Sequence, residues 1–216
     1  CNWAMRCLLI EDRNRLILID NGIGNKQDAK FFSHYYLNGN DTLEGSLKQK
    51  GFHADDITDM FLTHLHFDHC GGNAALPNAT LVVQRPEWAA GHVDKLIARD
   101  VYNPGDFDFG QPVNLLDGEH DLFGDGTVQI LSTPGHTIGH QSMKVKLPQT
   151  GSVIISQDAI WMQENLDGYP AGLNFSIQAY TDSLNKLKRM RDLEGAKLFM
   201  AHDGDQFSKN GNKWHN

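Results

Sequence analysis

The run His64-Leu65-His66-Phe67-Asp68-His69 places four metal-ligating side chains within six residues, directly after the apolar stretch Met60-Phe61-Leu62. Two imidazoles at i and i+2 can chelate one ion from a single tight loop, and an adjacent Asp-His pair can turn toward a second. The run is a binuclear metal site in outline. The apolar stretch before it reads as a buried strand, and Gly71 and Gly72 are expected to let the backbone pass close to the metals. His34, His53, His92, His120 and His215 are read as ordinary surface or core residues.

A chain of 216 residues with 40% apolar content can bury a sizeable core, and one domain over residues 1–216 is the economical reading. The formal charge of -8, with no Lys/Arg run, argues against a nucleic-acid surface. No apolar run approaches the ~18 residues that span a membrane. Cys1, Cys7 and Cys70 form no C-x-x-C pair and leave an odd count, so a reducing, cytoplasmic compartment is expected and a disulfide framework is not. Cys70 directly follows His69 and is read as a small neighbour rather than a ligand. The chain opens at Cys1 without Met and enters a strand almost at once, so its true N-terminus is expected to be missing, which leaves export open. The partner expected is a small-molecule substrate, with no nucleic acid and no membrane; a homodimer is left open.

The elements needed to position the run can be read in order. Residues Met5 to Ile10 and Leu16 to Ile19 flank the polar stretch Glu11–Arg15 as a hairpin. Asp41-x-x-Glu44 reads as a capping box for a short helix stopped at Gly51. Pro86 opens a second helix expected to run through Ile97. Strands are expected at Thr80–Gln84, Val128–Leu131 and Ser142–Leu147, with an Asp125-Gly126 turn before the second of these. A last amphipathic helix from Ser176 to Glu194 turns Leu184, Leu187 and Leu193 to a core and Lys186, Lys188, Arg189 and Arg191 to solvent, with Gly195 as its stop.

With these residues in view, the segment Thr63 to Gly72 resembles the H-x-H-x-D-H signature of the metallo-β-lactamase-fold hydrolases. Thr133-Pro134-Gly135-His136-Thr137 is similar to that family's T-P-G-H turn. Asp158, after Val153-Ile154-Ile155, and His202, after Leu198-Phe199-Met200-Ala201, stand where the family places its bridging carboxylate and its last His. The resemblance spans nearly the whole chain and implies an α/β fold, the four-layer αββα sandwich. It implies His64, His66 and His136 on one divalent ion, Asp68, His69 and His202 on the other, and Asp158 bridging them. Zinc suits imidazole and carboxylate donors best, with manganese, iron and cobalt also admitted. Two cations held ~3.5 to 4 Å apart would supply a bridging hydroxide as nucleophile, with Asp68 as the catalytic proton shuttle to the leaving group. Asp20 resembles the family's strand-end Asp and is given a structural role behind the ligands.

Within that superfamily the pattern is most similar to the N-acyl-homoserine lactonase-like branch, on His64 to Asn73, on Thr133 to Ser142 and on Asp158 followed by Glu164-Asn165. One position departs. Lactonases of that branch commonly carry Tyr three residues after the bridging Asp, and here that residue is Trp161, whose indole donates but cannot exchange a proton as a phenol does. Tyr169 is the other candidate for the role. Phe31-Phe32-Ser33-His34-Tyr35-Tyr36 and Phe107-Asp108-Phe109 each read either as the lining of an acyl cleft, through Phe31 and Phe107, or as core or lid packing. Gly22-Ile23-Gly24 lacks the third Gly of a dinucleotide fingerprint and is read as a turn. The function implied is opening of a lactone or related ester. The alternative is phosphoester or phosphotriester hydrolysis at the same metals, with a non-enzymatic metal-binding module as a minor third. β-Lactam hydrolysis is disfavoured because zinc β-lactamases generally carry Cys where Asp158 stands, and an oxygen-reducing di-iron role because it would want Glu in place of His66.

Overall fold

The computed structural model describes residues 4–25, 30, 33, 42–99 and 101–210. By contacts the chain divides into two units, one of Arg6–Val83 with Trp88–Leu115, the other of Cys1–Met5, Gln84–Glu87 and Leu116–Asn216.

The first unit is organised by a sheet of five strands in sequence order: β1 (Leu8–Asp12), β2 (Arg15–Ile19), β3 (Asp59–Phe61), β4 (Thr80–Gln84) and β5 (Val113–Leu116). Ile17, Leu18 and Ile19 are all buried, because β2 pairs antiparallel with β1 on one side and parallel with β3 on the other. An internal strand covered on both faces reads as an unbroken apolar run. The hairpin is tighter than expected: Asp12 pairs with Arg15, and only Arg13 (φ 56°) and Asn14 make the turn. Arg15 then closes on Asp59 at the start of β3, with its Nε 2.8 Å from Asp59 Oδ2 and Nη2 on Oδ1.

The helices between residues 42 and 110 are short: α1 (Leu43–Gln49), α2 (Phe67–Cys70), α3 (Arg85–Gly91), α4 (Asp94–Ile97) and α5 (Pro104–Phe107). The cap of α1 is Thr42, whose hydroxyl accepts from the Gly45 N–H at 3.0 Å. The expected cap, Asp41, lies outside the described residues. The single helix expected from Pro86 to Ile97 is two, α3 and α4, broken at His92. The His92 imidazole takes the Trp88 carbonyl at 2.8 Å, the acceptor a continuing α-helix would reserve for the His92 N–H, which goes to Ala89 instead. The core of this unit gathers Leu18, Met60, Leu62, Leu65, Leu81 and Phe107 with Cys70, which is wholly buried there as a small apolar residue.

The glycines after the His-rich run serve a different neighbour from the one expected. A Cβ on Gly71 would sit 2.1 Å from the Ile23 carbonyl oxygen, and one on Gly24 2.0 Å from the Gly71 oxygen. The C-terminal end of α2 and the turn at Gly22–Gly24 therefore cross backbone on backbone. What these glycines admit is the chain at 21–24.

The second unit holds β6 (His120–Asp121), β7 (Val128–Ser132), β8 (Gln141–Leu147), β9 (Gly151–Gln157) and β10 (Lys197–Met200), in the order β10-β9-β8-β7-β6. Only the β10/β9 pair is parallel; β9, β8, β7 and β6 run antiparallel in turn. Its helices are α6 (Gln163–Leu166), α7 (Ile177–Glu194) and α8 (Gly204–Asn210). Ser176 caps α7 by accepting from the Ala179 N–H, and Gly195 ends it in the left-handed region at φ 62°, the stop expected. Leu187 is buried with Ile154, Ile160 and Leu198, and Leu184 is half-buried. Leu193, expected in the core, is 75% exposed; six positions beyond Leu187 it lies about 120° round the helix. Two of the expected solvent lysines are tied down: Lys186 donates to the Ser132 carbonyl at 2.8 Å and to Glu119, and Lys188 to the Leu166 carbonyl at 3.1 Å. Among the described residues no helix is long and apolar enough to cross a membrane.

Candidate metal centre

In the first unit the site is built behind Asp20. This residue leaves β2 at φ 54° and is buried. Its Oδ1 accepts from the Thr63 N–H at 2.8 Å, and its Oδ2 from the Thr63 hydroxyl at 2.7 Å and from His69 Nδ1 at 2.8 Å. Because the Thr63 hydroxyl spends its proton on Asp20, it can only accept from His64 Nδ1, 3.2 Å away. Both His64 and His69 thus carry their proton on Nδ1 and present Nε2 as a lone pair. His64 Nε2 lies 3.0 Å from His66 Nδ1, and His69 Nε2 3.6 Å from Asp68 Oδ2. His64 and His69 are buried; His66 and Asp68 are half-buried.

In the second unit the turn carrying His136 is held from four directions. The Thr133 N–H donates to the His140 carbonyl at 3.0 Å and the Gly135 N–H to Thr137 at 2.9 Å. The Thr133 hydroxyl meets His140 Nδ1 at 2.9 Å, and the Gly139 N–H donates to the buried carboxylate of Glu87 at 2.8 Å. Gly135 sits at φ 140° with its Cα so near α7 that an added Cβ would fall 2.2 Å from the Tyr180 nitrogen. His136 Nδ1 donates to the Leu173 carbonyl at 2.6 Å, and His202 Nδ1 to the Ala4 carbonyl at 2.9 Å. Asp158, one residue beyond β9, lies between the two imidazoles with Oδ2 3.2 Å from His136 Nε2 and Oδ1 3.2 Å from His202 Nε2. Trp161 is edge-on to both rings, with centroids 5.6 Å from His136 and 5.8 Å from His202. Behind it, burial raises the Tyr180 phenol above its ordinary value and the Asp158 charge adds to this, against the Ala171 N–H that donates to its oxygen.

These donors fit a divalent cation. With Nδ1–H given to a carbonyl, each neutral imidazole faces Asp158 with a lone pair, and two acceptors 3.2 Å apart repel unless a proton or a cation stands between them. Ligand atoms about 2.0–2.2 Å from a tetrahedral ion lie about 3.3–3.6 Å from each other. The 3.0 Å between His64 Nε2 and His66 Nδ1 in the other unit is of the same kind. An imidazole whose far nitrogen is held also keeps its ring angle. Asp20→Ala is accordingly expected to weaken divalent-ion binding about 10–100-fold, since Thr63 and His69 lose one anchor together. Chelator competition on the purified protein reads this directly, and unchanged affinity would strip Asp20 of its supporting role.

Of the residues considered for substrate, Trp161 sits beside His136 and His202, whereas Tyr169 is 70% exposed on the connection between α6 and α7. Phe107 is corrected to a core side chain: it is wholly buried, with its ring 5.5 Å from Trp88 and 5.4 Å from His92. Phe31 and its aromatic neighbours to Tyr36, apart from Ser33, lie outside the described residues. Thr63, Glu87, His140 and Tyr180 were not singled out from the sequence. His140 stood within the T-P-G-H-T-I-G-H segment and could have been. The carbonyls of Ala4 and Leu173 carry no residue-type signal at all.

Comparison with known proteins bears on this arrangement. The metallo-beta-lactamase superfamily model matches residues 6–202. An N-acyl homoserine lactonase of Bacillus thuringiensis is 29% identical over 216 aligned positions, covering 95% of this chain and 83% of that protein. One from Rhizobium radiobacter is 32% identical over 172 positions, covering 75% of this chain and 64% of that protein. A solved N-acyl homoserine lactone hydrolase with the product N-hexanoyl-L-homoserine bound at its catalytic metal centre superimposes with a TM-score of 0.83 at 28% identity, over 99% of this chain and 86% of its own. A quorum-quenching N-acyl homoserine lactone lactonase gives 0.80 at 30% identity, over 94% and 81%. The two mixed sheets with their helices are the α/β metallo-β-lactamase fold, and the chain belongs to the metallo-β-lactamase superfamily.

Proposed function

We propose that this chain is a metal-dependent hydrolase that opens the ester bond of a lactone, with a substrate of the N-acyl homoserine lactone kind. In this reading His64, His66, Asp68, His69, His136, Asp158 and His202 hold two divalent ions, zinc by donor type. The observation that carries it is Asp158, whose two carboxylate oxygens each face a different imidazole at 3.2 Å. One oxygen for each of two ions is the natural use of such a carboxylate. The lactonase relatives support the substrate class. Bound ions of this kind polarise an ester carbonyl and lower the pKa of water.

The chain's own groups do the rest. Asp20 and the Leu173 and Ala4 carbonyls fix the tautomers of His69, His136 and His202, so that no imidazole has to reorganise as charge develops. Trp161 is buried against His136 and His202, where it excludes water and offers one N–H donor. Asp68 is the half-buried carboxylate of the set and takes the proton-shuttle role: it accepts a proton during attack and returns it to the departing alkoxide.

The test is one purified preparation assayed for metal and for kcat/KM on acyl-homoserine lactones, simple γ-lactones, aryl esters, phosphotriesters and thioesters. Lactones are expected to lead, with two metal equivalents per chain; phosphotriesters leading would overturn the substrate reading. Asp68→Asn is expected to cost lactones ~10²–10³-fold in kcat and activated aryl esters tenfold or less, because only an alkoxide needs protonation as the bond breaks. Equal losses on both, with metal retained, would leave Asp68 a ligand alone.

A further inference from the structure

His69 and His136 have their Nδ1 held by partners 49 and 37 positions away, the buried Asp20 side chain and the Leu173 carbonyl on the connection between α6 and α7. His202 is held from much further along the chain. Its Nδ1 donates to the carbonyl of Ala4, a residue 198 positions away in the N-terminal segment, and its own carbonyl accepts from the Ala4 N–H at 3.3 Å. One residue of that segment thus grips both the ring and the backbone of His202, while the imidazole turns Nε2 toward Asp158 Oδ1. We infer that Ala4 is the positioning residue for His202, and that docking of the N-terminal segment sets the affinity of the ion His202 ligates.

The inference rests on the ligand role proposed above for His202. With the Ala4 carbonyl in place, the proton stays on Nδ1 and the ring angle is fixed; without it the imidazole is released to the other tautomer and to rotation. Among the described residues, the ties that join Ala4 to His202 are these two bonds. Ion binding and segment docking therefore strengthen each other by the same factor.

Two truncations test it, one leaving a chain that begins at Ala4 and one a chain that begins at Met5. Zn²⁺ affinity is measured for each equivalent by chelator competition, the ligand field by the absorption spectrum of the Co²⁺-loaded protein, and folding by melting of the metal-free protein. The chain from Ala4 is expected to bind both equivalents as the parent does. The chain from Met5 is expected to bind one of them about 10–100-fold more weakly, with an altered cobalt spectrum and the same metal-free melting curve. Equal affinities and spectra in the two truncations, whether both match the parent or both are weakened, would overturn the inference. If the chain from Met5 does not fold, an amide-to-ester replacement of the Ala4–Met5 linkage weakens the carbonyl as an acceptor without deleting a residue. One equivalent weakened by that change supports the inference, and none weakened overturns it. Lactone hydrolysis is not among the readouts, so a protein that binds two ions and opens no lactone removes the substrate reading and leaves this one standing.

Discussion

Asp158→Ala is expected to release both metal equivalents together and to lower kcat/KM on the order of 10³-fold or more, about 4 kcal/mol of transition-state stabilisation. Its two oxygens face His136 Nε2 and His202 Nε2 at the same 3.2 Å, so neither imidazole keeps its carboxylate neighbour after the change. A residue serving one ion would release one. Metal analysis of the variant, beside kinetics at saturating added zinc, separates the cases. One equivalent still bound at parental affinity would mean that Asp158 does not bridge.

Gly135→Ala is expected to cost at least about 4 kcal/mol of stability, which at this chain length lowers the melting temperature by roughly 8–16 °C. The added methyl would lie 2.2 Å from the Tyr180 nitrogen, 2.3 Å from its Cα and 2.8 Å from the Ala179 carbonyl carbon. All three are backbone atoms of α7, and no rotamer relieves them. The residue also sits at φ 140°, which a side chain disfavours. Calorimetry of the metal-free variant reads the loss without interference from ion binding. A drop of less than about 2 °C would show that the turn and α7 separate freely. Because His136 follows directly, the same variant is expected to bind metal less tightly.

The contrast between these two positions shows what was legible beforehand. Asp158 and the histidines are conspicuous by residue type: few side chains bind divalent ions, and their order beside apolar runs can be read from letters alone. Gly135 was noticed only as part of a motif. Its reason, contact with a helix more than forty residues further on, is tertiary. The same holds for Gly71, assigned to the metals by proximity in sequence but answering to the backbone at Ile23. Strands β4, β7 and β8 and helix α7 were readable because burial imposes its period on the sequence. The break at His92 was not, because it depends on where one imidazole finds a carbonyl. Phe107 shows the limit most plainly: an aromatic in a loop-like stretch has the same letter whether it lines a cleft or fills a core. The carbonyls of Leu173 and Ala4 lie beyond any reading of residue types, since every residue but its neighbour's context looks alike there.

The bond between Ala4 and His202 also has a history within each molecule. His202 leaves the ribosome 198 residues after Ala4, roughly 10–40 s later at ordinary elongation rates. Throughout that interval the early segment has no imidazole to hold, and the His64–His69 loop is already exposed to whatever ions the surroundings supply. Of His69, His136 and His202, the last is the one separated from its Nδ1 partner by the longest stretch of synthesis. Under the ligand set proposed above, a nascent chain can thus collect ions on its early loop well before the arrangement around Asp158 and His202 exists, and the final geometry is reached only when the two ends of this stretch meet.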